Sequence, residues 1–98
     1  MTLVRRTNVQ MPEASAQEDQ AIADTMLALL ASRAPSASIC PSDVARALSS
    51  DEGVWRAKMP AIRRVAAQLA ANGQVKVTRG PTEVDALSKG GPIRIRRP

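Results

Sequence analysis

VWRAKMPAIRRVAAQLAANGQVKVTRG, residues 54–80, changes its apolar period midway, and that change decides the fold class. Trp55, Met59, Ile62, Ala66 and Leu69 recur at alternating steps of four and three, the stripe of an amphipathic helix. Asn72-Gly73 ends the run, because Gly73 is free to take a positive φ. Beyond it Val75 and Val77 alternate with Lys76 and Thr78, and Ile93 and Ile95 alternate with Arg94 and Arg96, the period of strands. Pro60 interrupts the helical stripe. Proline costs ~3 kcal/mol or more in a helix interior but little in the first turn. The main helix is therefore expected to begin near 58–60, after a short turn carrying Trp55.

Upstream, Ser38-Ile39-Cys40 reads as a short extended piece running into a short helix. Pro41 suits the first helical position, Asp43 the positive end of the dipole, and Val44 with Leu48 form a small buried face. Residues 49–53 form a turn. Further back, Ser15 and Glu18 have the spacing of a capping box, and Ile22, Met26, Leu29 and Leu30 share a helix face. Arg33 suits the negative end of that helix and Pro35 stops it. Leu27 lies off the stripe, a candidate partner contact set against the ordinary reading of a singly exposed leucine. Residues 1–14 show no sustained period and read as a mobile tail, leaving 15–98 as a single domain. The connection from Gly80 to Gly91 is long for a hairpin. The expected fold is mainly α with a small β-hairpin: three helices plus a two-stranded wing, in the order of a winged helix-turn-helix domain.

The stretches Ile39-Cys40-Pro41-Ser42-Asp43-Val44-Ala45-Arg46-Ala47-Leu48, Trp55-Arg56 with Met59-Pro60, and Gly91-Pro92-Ile93-Arg94-Ile95-Arg96 resemble a small bacterial family catalogued as a domain of unknown function. The resemblance covers about residues 20–98 and leaves 1–18 outside. It implies a winged-helix fold and carries no activity.

Composition narrows the chemistry. With no His and one Cys, neither the usual zinc ligand sets nor a Ser-His or Cys-His nucleophile pair can be assembled. No Gly-rich phosphate loop occurs; Gly80, Gly90 and Gly91 lack the spacing and the following helix. Neither catalysis, a metal nor a cofactor is expected. No run of residues is long and apolar enough for a membrane span, and the basic opening is not followed by the apolar core of a secretory signal. A single cysteine, Cys40, fits a reducing cytoplasm. Before a helix N-terminus its thiol is open to activation, but with no second cysteine to resolve it a capping or buried role is the expected one.

Charge supplies the functional expectation. Residues 54–98 hold ten Lys/Arg against two acids, a balance of +8, whereas residues 1–53 hold four against seven, −3, and the halves sum to the net +5. Separation of this kind suits a polyanion, and the expected partner is double-stranded DNA. In the third helix, Arg64 and Gln68 are expected opposite the core, placed to read guanine and adenine edges, with Arg56, Lys58 and Arg63 on phosphates. On the wing, Lys76, Thr78, Arg94 and Arg96 are expected to face outward with Arg79 and Arg97 at strand ends, the cations being candidates for the backbone. Few base readers imply limited sequence specificity, and a regulator built this way would need a homodimer or partner to gain more. With one aromatic residue, Trp55, the chain is poorly supplied for stacking on single strands. Two other expectations stand beside this one: a protein–protein interaction module on the same fold with no nucleic-acid role, and an RNA-associated domain.

Overall fold

The strongest element, α4 (Met59–Ala71), begins where Pro60 predicts and ends as Gly73 predicts. The computed structural model describes residues 2–98, with side chains from Ala16 onward. Pro60 occupies the first turn of α4, so its missing N–H removes no intrahelical bond. At the other end Gly73 takes φ +76°. Its N–H donates to Ala70 O (3.0 Å) and that of Gln74 to Leu69 O (2.9 Å), the paired bonds of a Schellman turn. Ile62, Val65, Ala66 and Leu69 are buried, so the stripe also includes Val65, which widens it toward the first helix.

Among the described residues there are four helices and a small sheet: α1 (Thr2–Ala31), β1 (Ser38–Ile39), α2 (Pro41–Leu48), α3 (Glu52–Ala57), α4, β2 (Lys76–Arg79), β3 (Thr82–Glu83) and β4 (Arg94–Arg96). The sheet is four-stranded and antiparallel, in the order β1-β4-β2-β3. The architecture is thus mixed α/β, and two expectations need correction. The turn carrying Trp55 is a helix of its own, α3, capped by Asp51 Oδ1 accepting from the Val54 N–H at 3.0 Å. The strands expected as a two-stranded wing, β2 and β4, are instead the middle pair of a four-stranded sheet. Ile39 lies opposite Ile95, because the extended piece before α2 offers its backbone to β4. On the far edge β2 turns straight back through Gly80-Pro81 to place Thr78 opposite Glu83. Gly80 at φ +62° followed by proline suits the first central position of a type II′ hairpin.

One buried cluster joins these layers: Ile22, Met26 and Leu30 of α1, Val44 of α2, the α4 stripe, and Ile39, Val77 and Ile95 of the sheet. Apolar burial of this kind contributes about 25 cal/mol per Å² and holds the helices against one sheet face. Thr78, expected outward, is buried instead. It sits on a strand flanked on both sides, in register with Arg94 and Glu83.

Helix α1 extends well before its expected start, so Ser15 and Glu18 lie within it rather than at its N-terminus. The stretch 1–14, expected as a mobile tail, is helical in this structure from Thr2 onward, and the side chains of 2–15, the Ser15 cap among them, lie outside the described residues. At the C-terminal end the role expected of Arg33 belongs to Arg97, which donates to Leu30 O (3.0 Å), Ala31 O (3.3 Å) and Arg33 O (3.1 Å). Arg33 itself lies past the helix and pairs with Asp43 at 3.8 Å. Among the described residues no helix is long and apolar enough to cross a membrane.

Candidate nucleic-acid interface

The junction of α2, α3 and α4 gathers cations around the one aromatic ring. Arg46 of α2 and Arg56 of α3 place their guanidinium carbons 5.2 and 4.9 Å from the Trp55 ring centre, within cation–π range. Trp55 is half-buried, packed against the core and at the same time in contact with two arginines. Arg56 and Arg63 then line a common cleft of about 520 Å³ with Met59, Pro60, Ala86 and Leu87, which runs from the start of α4 to the loop after β3. Arg63 is exposed and, among the described residues, has no carboxylate within ion-pair distance.

The other cations expected on the third helix are engaged. Arg56 Nε also donates to Glu52 Oε2 at 2.7 Å, one turn earlier on α3. Lys58 lies 3.6 Å from Glu18, and Arg64 donates to Asp19 Oδ1 at 2.7 Å, both carboxylates coming from α1. Gln68 lines a cleft of about 460 Å³ with Asp19, Gln20, Ala23 and Leu27 of α1. The widened α4 stripe accounts for this. With Val65 in the core the helix turns so that Arg64 and Gln68 face the flank of α1, while Arg63 faces the sheet-side loop.

On the sheet the arginines serve the chain itself. Arg79 donates to Gly91 O (3.0 Å), Ser88 O (3.2 Å) and Ser88 Oγ (3.3 Å), clamping the loop between β3 and β4. Arg94 holds β1 through Ser38 Oγ (2.9 Å) and Ser38 O (3.0 Å), and Arg97 caps α1 as described. Their hydrogen-bond partners are neutral oxygens, although Arg94 also faces the Asp43 carboxylate. Lys76 and Arg96 stand directly opposite one another, a like-charge pair that strand pairing alone disfavours. The buried Nε of Arg96 has no hydrogen-bond partner.

Sequence reasoning missed Arg46. Its place on α2 gave no charge run to notice, and only packing brings it to Trp55. Near it, Cys40 N–H donates to Asp43 Oδ2 at 3.0 Å, the acid half of a cap for α2. Burial alone would raise the Asp43 pKa. The hydrogen bonds from Cys40 and the charges of Arg33 and Arg94 outweigh it and hold the carboxyl below its ordinary range. Among the described residues no three His, Cys, Asp or Glu side chains gather as a metal site would require.

The family described as "Protein of unknown function (DUF3253)" matches residues 19–98, and the chain belongs to it. No curated protein matches the chain.

Proposed function

Taking that membership and this geometry as premises, we propose that the protein is a winged-helix module that binds duplex DNA chiefly through its phosphates, with limited sequence discrimination. The single observation that carries this reading is the convergence of three arginines around Trp55 and the start of α4: Arg56 and Arg63 from residues 54–98, whose balance is +8, and Arg46 brought to them by α2. The element order supports the winged-helix part: helix, short strand, helix, the short α3, the long α4 and then three antiparallel strands, with β1 paired to β4. Lys76 and Arg96 on the sheet extend the positive surface.

The carboxylates on Arg56, Lys58 and Arg64 weaken this surface without abolishing it. Exposed ion pairs are worth about 0–1 kcal/mol, and a phosphate offers the same geometry to a guanidinium. Arg64 and Gln68, turned toward α1, are demoted as base readers, which reinforces the expectation of weak specificity. A regulator of this kind gains selectivity by pairing with a second copy or a partner, because one module covers only about 600–1,000 Å² of protein surface.

A mobility shift on random duplex DNA at two salt concentrations tests the proposal. With roughly 4–6 phosphates neutralised, log affinity falls against log salt with a slope of about −4 to −5. Arg46→Glu combined with Arg63→Glu removes the shift while the circular dichroism spectrum stays unchanged. Binding indifferent to salt, or a variant that binds as well as the parent, overturns the reading. One observation favours a protein partner instead: Val54, 46% exposed, lines a cleft with Glu18, Asp51 and Lys58, where mixed signs meet apolar surface. Under that reading the double variant captures its protein partner as well as the parent does.

A further inference from the structure

Leu87 is 59% exposed, yet the loop that carries it is tightly braced. Its own N–H donates to Asp85 Oδ1 at 2.8 Å. The next residue, Ser88, donates to Asp85 O from both its hydroxyl (2.6 Å) and its N–H (3.0 Å). Arg79 clamps the loop from β2, and the neighbouring Ala86 is buried in the core. A leucine held in water by that many bonds is presented to something. It stands at the cleft it shares with Arg63 and Arg56.

Phosphate has no use for an aliphatic side chain, but duplex DNA does. Its deoxyribose rings and minor-groove base edges accept Leu, Ile, Met and Pro side chains from proteins that touch the minor groove. A loop is narrow enough to enter there, whereas the major groove takes a helix or a ribbon. The acids near this loop do not oppose such an approach strongly. Asp85 turns one oxygen back onto the Leu87 amide, and Glu83 lies on β3 opposite Thr78. Lys89 follows two residues later.

We propose that Leu87 makes an apolar, salt-independent contact with the sugars and base edges of the minor groove while Arg63 holds the adjoining phosphate. The inference rests on the DNA-binding reading and adds a contact that charge cannot supply. Leu87→Ser loses about five- to tenfold in affinity for random duplex DNA, part of what full burial of a leucine is worth. Its salt slope stays that of the parent because no counterion is released, whereas Arg63→Ala lowers the slope by about one. Leu87→Met restores most of the affinity, and thermal melts confirm that all three variants fold. If Leu87→Ser binds like the parent, or loses slope together with affinity, the apolar contact is wrong and the DNA-binding reading survives. If the parent does not bind DNA at either salt concentration, both fall.

Discussion

Arg79, Arg94 and Arg97, on or beside the sheet, direct their N–H groups at neutral oxygens of the chain itself, whereas Arg56 and Arg64, on the helices, direct theirs at carboxylates. The two regions carry the same residue type and the same formal charge, yet the consequences differ. A sheet arginine ties distant segments together and remains a full positive charge. A helix arginine forms a surface pair that contributes little to folding and is partly neutralised. Positive charge here is therefore structural on one side and exchangeable on the other. A polyanion would find the sheet's charge already ordered and, Arg63 apart, much of the helices' charge in competition with Glu18, Asp19 and Glu52.

The sharpest way to break this contrast is thermal. Arg97→Ala leaves three carbonyls at the end of α1 without their charged donor. Hydrogen bonds to charged groups contribute about 1.5–3 kcal/mol, so the melting temperature falls by roughly 10 °C. Arg56→Ala removes two exposed contacts, the pair with Glu52 and the cation–π contact with Trp55, each worth at most about 1 kcal/mol, and shifts it by roughly 5 °C or less. Equal shifts in the two melts would erase the distinction between the regions.

Asp19→Asn sharpens the comparison from the other side. The carboxylate 2.7 Å from Arg64 is removed, the amide keeps the shape, and Arg64 is released to solvent. The pair is half-exposed, so stability changes by less than ~1 kcal/mol. Under the DNA-binding proposal affinity rises about threefold at low salt, and the salt slope steepens by about one as an added phosphate contact forms. Titration of the variant against labelled duplex at several salt concentrations checks this. A slope identical to the parent's would mean that α1 does not compete for Arg64.

The contrast also explains what could be read from the residues alone. The start of α4 and its end at Gly73 were legible because proline and glycine act on the backbone where they stand. The charge imbalance was legible because it is a count. The strand β1 was not, since two residues have no period and their partner Ile95 lies near the other end of the chain. Val65 was passed over because a stripe of alternating fours and threes was already filled, and that one residue turns Arg64 and Gln68 toward α1. The uses of Arg79, Arg94 and Arg97 depend on carbonyls brought to them by folding. In a strand pattern these residues read only as outward charge.

Asp43 sits between the two regions and gives the smallest predicted effect. Its carboxylate accepts from Cys40 N–H at the start of α2 and faces Arg33 and Arg94, so its folded pKa lies below the unfolded value of about 3.8. A depressed carboxylate contributes stability that is fully present above the unfolded pKa and is lost as pH falls through the folded one. Unfolding followed from pH 6 down to pH 2 should therefore show a decline confined to the region below about pH 4. In Asp43→Asn that decline is shallower, because the amide still accepts the Cys40 bond but does not titrate. Since Arg94 both holds β1 and faces this carboxyl, Arg94→Gln should flatten the same acid limb while loosening the β1–β4 edge. A helix-side control such as Arg56→Gln leaves the Asp43 limb untouched. Were both substitutions to flatten it equally, Asp43 would be responding to net charge, and the ordered charge assigned to the sheet side would lose its distinct role.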